Sequence, residues 1–510
     1  MFEAGLEALT LILQPDRLAF MALGASIGLV VGLLPGLGGA VGMSVVLPFV
    51  FGMDPYSGMA LLMGMVAVIH TADTFPSVLL GIPGSSGSQA TIMDGYPLAR
   101  QGQASRALAA AFSASVIGGL FGAVVLFGTI SVARPLVLAL GSPELFMLTI
   151  LGLSMVGVLS RGSALTGMLS GVMGLSLGVI GGAPAVSEYR FTFDSIYLFD
   201  GIPLPVLALG LFALPEMLDL LVRNTSIAEK AALAGSRLQG VRDTLRNRWL
   251  VLRSSLLGVT VGMVPGLGGP VVDWMAYGIA MQTSRDNERF GKGDIRGVIA
   301  PESANNSKES GALVPTMLFG IPGSSTTAIL LGGLILMGIE AGPRMVSTDL
   351  PVMLSIVWTL AIANVIGAAL CFAFSGAVSR VSLIKGTTLV PFLLVIMVVA
   401  SYQSTRHWGD VVTFFAIGLL GWIMKTLDWP RAPMIIGFVL STPAERYLHL
   451  SMSRYGFEWF TNPIVIVIAV FVVAILAYGG LRRGAPGESR IQDTSVDEAD
   501  LEAREGRRNA

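Results

Sequence analysis

The sequence predicts an all-α polytopic membrane protein: two inverted-topology repeats with broken or re-entrant helices, about 10–12 membrane segments in all. Three observations predict it. Of the 510 residues 53% are hydrophobic and only 13% charged, a charged share roughly half that of an ordinary globular chain. Uncharged runs at 18–53, 107–133, 162–187, 310–339, 350–379 and 459–481 each exceed the roughly 20 residues with which an α-helix crosses a bilayer. Two glycine-rich stretches also occur twice, in the same order, in the two halves of the chain.

Residues 1–17 carry Glu3 and Glu7 and lack the basic n-region and small-residue cleavage site of a secretory signal, so an amphipathic, retained N-terminal segment is expected. A first membrane repeat follows at 18–222. The linker 223–253 holds seven basic residues (Arg223, Lys230, Arg237, Arg242, Arg246, Arg248, Arg253) against two acids, which places it in the cytoplasm by the positive-inside rule. A second membrane repeat spans 254–450, and an extra C-terminal span lies within 451–481. The tail 482–510 begins Arg482, Arg483 and continues polar and charged, so it is expected to be cytoplasmic and disordered.

The duplication is legible letter by letter. GLLPGLGGA at 32–40 reads against GMVPGLGGP at 262–270, 230 residues later. FPSVLLGIPGSS at 75–86 reads against VPTMLFGIPGSS at 314–325, 239 residues later, and IPLPVLALGLFALPEM at 202–217 more weakly resembles RAPMIIGFVLSTPAER at 431–446. The drift in offset needs only loop insertions such as the polar stretch 283–297. With linker and tail both cytoplasmic, an even number of crossings separates them. Removing the unpaired last span leaves an odd number per unit, and an odd unit placed twice in sequence points its copies in opposite directions. That is the inverted-repeat plan of secondary transporters, whose sites lie near the midplane at the repeat interface.

Each copy interrupts one apolar stretch with PGLGG (35–39, 265–269) and another with GIPGSS (81–86, 320–325). Proline removes an amide donor and glycine resists helix, so breaks inside membrane segments are expected. Backbone groups freed there cost several kcal/mol each unless protein or a water-filled cavity satisfies them. The alternative is that these residues only permit close packing and kinks, as small residues do in many membrane helices. Two loop types repeated in register favour a binding site instead. A helix starting after such a loop favours an anion by about 0.3–1 kcal/mol, up to ~2 when partly buried, and loop carbonyls at half-helix C-termini coordinate sodium.

The candidate substrate-binding residues are therefore Gly36, Gly38, Gly39, Gly81, Pro83, Gly84, Ser85 and Ser86, with Gly266, Gly268, Gly269, Gly320, Pro322, Gly323, Ser324, Ser325 and Thr326 in the second copy. Asn305 and Asn306 join them as contacts for a cation or carboxylate, although a polar loop would also explain them. His70 and Asp73, three apart on one helix face, are candidates for coupling a proton or ion; the competing reading is a pair at an interface or bonded to each other. Asp94 and Arg100 read as the solvated exit of a loop, and Glu302, Lys308 and Glu309 as a surface salt-bridge patch. No cofactor is expected. Cys371 stands alone and three scattered histidines form no zinc pattern. The net charge of -1 gives no sign of a nucleic-acid partner.

PGLGG, GIPGSSGSQATIMDGYPLARQGQASRAL and APESANNSKESGALVPTMLFGIPGSSTTAILLGGL together resemble the large membrane subunit of bacterial tripartite tricarboxylate transporters, the TctA family, over about residues 18–478. The resemblance implies an inner-membrane complex with a small membrane subunit of about four helices (TctB-like) and a periplasmic solute-binding protein (TctC-like) that captures the carboxylate. It also implies secondary transport, usually driven by sodium. The two loop sets and Asn305–Asn306 carry over. The first half departs from the family pattern in having HTADTFPSVLLGIPG where many members have Gly-Gly-Ser and an Asn before the IPG, which leaves the carried carboxylate open.

Importing a divalent or trivalent anion against a negative interior opposes transport by roughly 5–7 kcal/mol at 100 mV. No phosphate-binding G-x-x-x-x-G-K-[ST] loop occurs, so cation symport, with sodium as coupling ion, is the expected drive. Two rivals remain. An anion channel with two re-entrant loops fits the repeats nearly as well, and an intramembrane hydrolase would use Ser85 or Ser86 with His70 and Asp73. The second copy repeats the serine loop with no histidine beside it, which argues against the hydrolase.

Overall fold

The structure, a computed structural model, describes residues 1–160, 163–186, 188–223, 235–381 and 386–481. The tail 482–510 and the linker stretch 224–234, including Lys230, lie outside the described residues. The protein is almost wholly helical; a two-residue hairpin pairs Gly181 with Arg190 and Gly182 with Tyr189. Among the described residues eight helices are long and apolar enough to cross a membrane: Pro15–Leu33, Pro55–Leu80, Gln89–Ala139, Ser142–Leu159, Leu204–Leu221, Leu350–Gly376, Trp408–Thr426 and Pro463–Gly480. Four shorter apolar helices accompany them, Gly38–Val50, Ala164–Gly178, Ser325–Leu336 and Val390–Gln403. The helices Arg296–Phe319 and Ala432–Tyr455, 24 residues each, have the length but carry charges.

Both glycine-rich motifs break helices. PGLGG separates Pro15–Leu33 from Gly38–Val46, and its second copy separates Arg248–Gly262 from Gly268–Thr283. GIPGSS separates Thr74–Leu80 from Gln89–Leu98, and Arg296–Phe319 from Ser325–Leu336. Gly36, Gly38, Gly81, Gly266, Gly268 and Gly320 all have positive φ, a backbone state that only glycine adopts without strain.

The same helix crossing is built twice. Pro15–Leu33 lies so close to Pro55–Ala72 that a Cβ on Gly28 would fall 2.5 Å from Met65 O, and one on Gly32 would fall 2.8 Å from Ile69 O. In the second copy Gly258 meets Ala304 O at 2.3 Å and Gly262 meets Lys308 O at 2.4 Å. These are the same positions displaced by 230 residues on one helix and 239 on the other. Small residues let helix backbones approach in this way where lipid gives no hydrophobic drive for helices to associate.

The two copies interleave rather than sit apart. Arg296–Phe319 packs against Ala104–Ala139 of the first copy, where Gly118 abuts Ser303 O. The N-terminal helix Phe2–Ile12 lies against Leu350–Val381, and Trp358 Nε1 donates to Gly5 O at 2.7 Å. The last helix, Pro463–Leu481, attaches to Ser142–Leu159, with Asn462 Nδ2 donating to Glu144 Oε1 at 2.5 Å. Ala164–Gly178 crosses Ala432–Tyr455 through Gly174, where a Cβ would stand 1.9 Å from Met434 O. Gly174→Val is expected to destabilise the protein by about 1–3 kcal/mol through overpacking. The check is the thermal midpoint of the detergent-solubilised protein, and an unchanged midpoint would mean that this crossing has room to spare.

Candidate functional site

The four breaks meet. Within the first copy, Gly36 N–H donates to Gly84 O at 3.0 Å; within the second, Gly266 N–H donates to Gly323 O at 3.1 Å. Both GIPGSS tips are then pinned identically. Ser85 N–H donates to Ser88 Oγ at 3.2 Å, and Ser324 N–H to Thr327 Oγ1 at 2.9 Å. Between copies the contacts are reciprocal: a Cβ on Gly39 would stand 3.0 Å from Thr326 Oγ1, and one on Gly269 would stand 3.1 Å from Gly87 Cα. Gly39 corresponds to Gly269 and Gly87 to Thr326. Residue i meeting j′ while i′ meets j is the signature of a two-fold relation.

At this junction lies a set of buried ionisable groups: His70 (5% exposed), Asp73 (0%), Asp273 (0%), Glu302 (1%), Lys308 (7%) and Glu309 (4%). His70 Nε2 is 3.1 Å from Glu309 Oε1, and Lys308 Nζ is 2.8 Å from the same oxygen. His70 and Glu309 occupy equivalent positions of the two copies, 239 residues apart. Lys308 Nζ would lie 3.2 Å from a Cβ on Gly269, so the ammonium sits beside the second PGLGG tip. Glu302 accepts from three hydroxyls, Thr74 Oγ1 and Thr91 Oγ1 at 2.8 Å each and Ser115 Oγ at 3.2 Å. Asp73 Oδ2 accepts from Ser85 Oγ, and Asp273 Oδ2 accepts from Ala90 N–H at 2.6 Å. Four acids thus face two bases, and such an excess of buried negative charge is costly in a membrane interior unless further cations or protons compensate it.

Several expectations need correction. Glu302, Lys308 and Glu309 are no surface patch: they sit on Arg296–Phe319, a helix enclosed on every side. Asp94 is no solvated loop exit. It is fully buried, accepting from Tyr277 OH at 2.9 Å and from Gly293 and Asp294 N–H at 2.8 Å each, and so fastens the 283–297 insertion over the first GIPGSS helix. Asn305 and Asn306 lie on a helix, not a polar loop. Asn306 Nδ2 is committed to Asn364 Oδ1 (2.8 Å), Ser115 O (3.0 Å) and Thr71 Oγ1 (3.1 Å), whereas both polar atoms of Asn305 are buried without a partner beside Gly87. The serine–histidine pair of a hydrolase is not formed, since Ser85 Oγ donates to Asp73 while His70 Nε2 faces Glu309.

Of the predicted residues, Gly36, Gly38, Gly39, Gly84, Ser85, Gly269, Thr326, Asn305, His70 and Asp73 converge. Gly81 and Gly320 only end helices, Gly81 packing against Tyr96. Ser324 caps its own helix by accepting from Thr327 N–H at 3.2 Å, and Ser86 faces outward. Gly266 bonds to Gly323 O within its own copy, and its Cα faces Val156 of the first copy's Ser142–Leu159 rather than that copy's helix breaks. Asp273 was not anticipated, although a signal existed: it is the lone charge in the stretch 254–284, four residues after the second PGLGG. Among the described residues no group of three or more His, Cys, Asp or Glu side chains is placed to hold a metal ion.

The sequence of residues 18–436 matches the family model described as the tripartite tricarboxylate transporter TctA family. The chain belongs to the TctA family. A curated relative from Agrobacterium vitis, an uncharacterized 52.8 kDa protein in the TAR-I ttuC′ 3′ region, is 30% identical over 480 residues, covering 91% of this chain and 94% of that one. A second from the same organism, an uncharacterized protein in the TAR-II ttuC′ 3′ region, is 29% identical over 210 residues, covering 41% and 87%. No solved structure matches. As a TctA-family chain this is a multi-pass transporter subunit.

Proposed function

We propose that this chain is the large permease subunit of a binding-protein-dependent secondary transporter that imports a di- or tricarboxylate, citrate-like in class, by sodium symport. One observation supports this above the rest: four helix breaks from two repeats meet reciprocally around a buried ammonium, Lys308, and the hydroxyl of Thr326. Three of the helices leaving those breaks, Gly38–Val46, Gly268–Thr283 and Ser325–Leu336, present their positive ends there. The arrangement suits carboxylates on one side and coupling cations on the other.

The repeats have inverted topology in this reading, and the reciprocal contacts support it. The chain sits in the bacterial inner membrane with 223–253 and the tail in the cytoplasm. Its partners are a small four-helix TctB-like subunit and a periplasmic TctC-like binding protein. The test is uptake of labelled citrate and related di- and tricarboxylates into vesicles carrying the three components. Accumulation is expected only with an inward sodium gradient and the binding protein present. Downhill flux indifferent to both would overturn symport and leave an anion channel.

A further inference from the structure

The repeats share a backbone plan but not their chemistry. Applying the two offsets, Asp73 corresponds to Ala312, Asp273 to Met43, Glu302 to Met63 and Asn305 to Val66. Asp73, Asp273, Glu302 and Asn305 surround the loop and helix start at 84–91, through contacts to Ser85, Ala90, Thr91 and Gly87 respectively. Met43, Met63 and Val66 join Leu330 and Leu334 in the main apolar core, and Ala312 packs against Gly323. One half-site is therefore oxygen-rich and its twin is apolar, although the same hydrogen bonds hold both tips.

The partners of each carboxylate sharpen this. Glu302 has both oxygens occupied by hydroxyl donors, and Glu309 has Lys308 and His70. Asp73 and Asp273 each have one bonded oxygen, while Asp73 Oδ1 and Asp273 Oδ1 are buried without a partner, as is the amide of Asn305. Buried carboxylate oxygens without donors are strongly unfavourable unless a cation meets them or a proton neutralises them.

We infer that the first-repeat tip is a sodium site, with Asp73, Asp273 and the Asn305 carbonyl as oxygen ligands, and that the second-repeat twin binds no ion. The ligands are all oxygen, which suits a hard cation and not a thiophilic metal. This assignment rests on the symport reading and gives it a place in the chain.

The experiment is equilibrium binding of radioactive sodium to the purified full chain in lipid nanodiscs, with choline holding ionic strength constant and with potassium and calcium as competitors. Saturable binding is expected, with neither competitor displacing it at equal concentration. Asp73→Asn and Asp273→Asn should each weaken it at least about tenfold, Asn305→Leu should weaken it and Asn305→Asp should not. Met43→Leu and Met63→Leu, at the twin positions, should leave it unchanged. Binding in Asp73→Asn and Asp273→Asn equal to the parent overturns the site, as does displacement by calcium. Should both aspartate variants elute as aggregates, the Asn305 pair decides, and equal binding in Asn305→Leu and Asn305→Asp overturns it. Sodium-dependent uptake in the same membranes separates the two ideas. Uptake that still requires sodium in Asp73→Asn and Asp273→Asn would show symport with a misplaced site, while sodium-independent uptake by the parent would remove symport itself.

Discussion

Lys308→Met is expected to destabilise the protein by about 3–5 kcal/mol and to abolish carboxylate uptake, the magnitude being that of breaking a buried ion pair from one side. Lys308 Nζ lies 2.8 Å from Glu309 Oε1, and the two side chains are 9% and 5% exposed. Removing the ammonium leaves Glu309 facing only His70, in a cluster already rich in acid. The double variant Lys308→Met with Glu309→Gln removes both charges together, and replacing such pairs by neutral groups of similar volume is often close to neutral. Stability should therefore return in the double variant while uptake stays lost, because the ammonium beside Gly269 is gone. Thermal midpoints of the parent, both single variants and the double variant close a double-mutant cycle. Additive effects would mean that the two groups do not pair, and uptake restored in the double variant would remove Lys308 from the binding machinery.

The helix breaks could be read from the chain because glycine and proline act locally: positive φ at Gly36 and Gly266, and the helix ends at Gly81 and Gly320, follow from residue chemistry that needs no neighbour. The duplication was equally legible, and the structure adds that equivalent residues make equivalent contacts. What local reasoning missed is the helix Arg296–Phe319. Its stretch PESANNSKES reads as a polar surface loop by composition, and its mean polarity hides any apolar stripe. The stretch is buried because its polar groups are satisfied from far along the chain, Glu302 by hydroxyls 228, 211 and 187 residues away and Asn306 by the Thr71 hydroxyl 235 residues away. No window of sequence contains those partners. Asp273 was missed for the opposite reason, a single charge diluted by a long apolar stretch, where an ionisable residue at membrane depth is by itself a pointer to function.

A methyl group at Gly84 is expected to reduce uptake by about ten- to a hundred-fold, and the same change at the equivalent Gly323 far less. A Cβ on Gly84 would fall 2.3 Å from Asp73 O and 2.7 Å from Asp73 Cβ, so the backbone of the tip must move. At Gly323 the nearest atom is the Ala312 Cβ at 3.2 Å, which a shift of a few tenths of an ångström relieves. Overpacking of the first kind costs about 1–3 kcal/mol, about a factor of five to 150 in an equilibrium. The displacement would also act on function, because Gly84 O receives the Gly36 N–H and the next residue, Ser85, holds Asp73. The Gly84→Ala tip should therefore lose its grip on PGLGG and on the aspartate together. The measurement is initial uptake rate at matched expression and matched monodisperse yield for Gly84→Ala, Gly323→Ala and the parent. Equal losses in the two variants would mean that the tips are mechanically alike and that the tight packing around Asp73 has no special part in transport. A loss confined to Gly84→Ala would tie transport to the polar tip, where a backbone shift of under an ångström moves Asp73 as well.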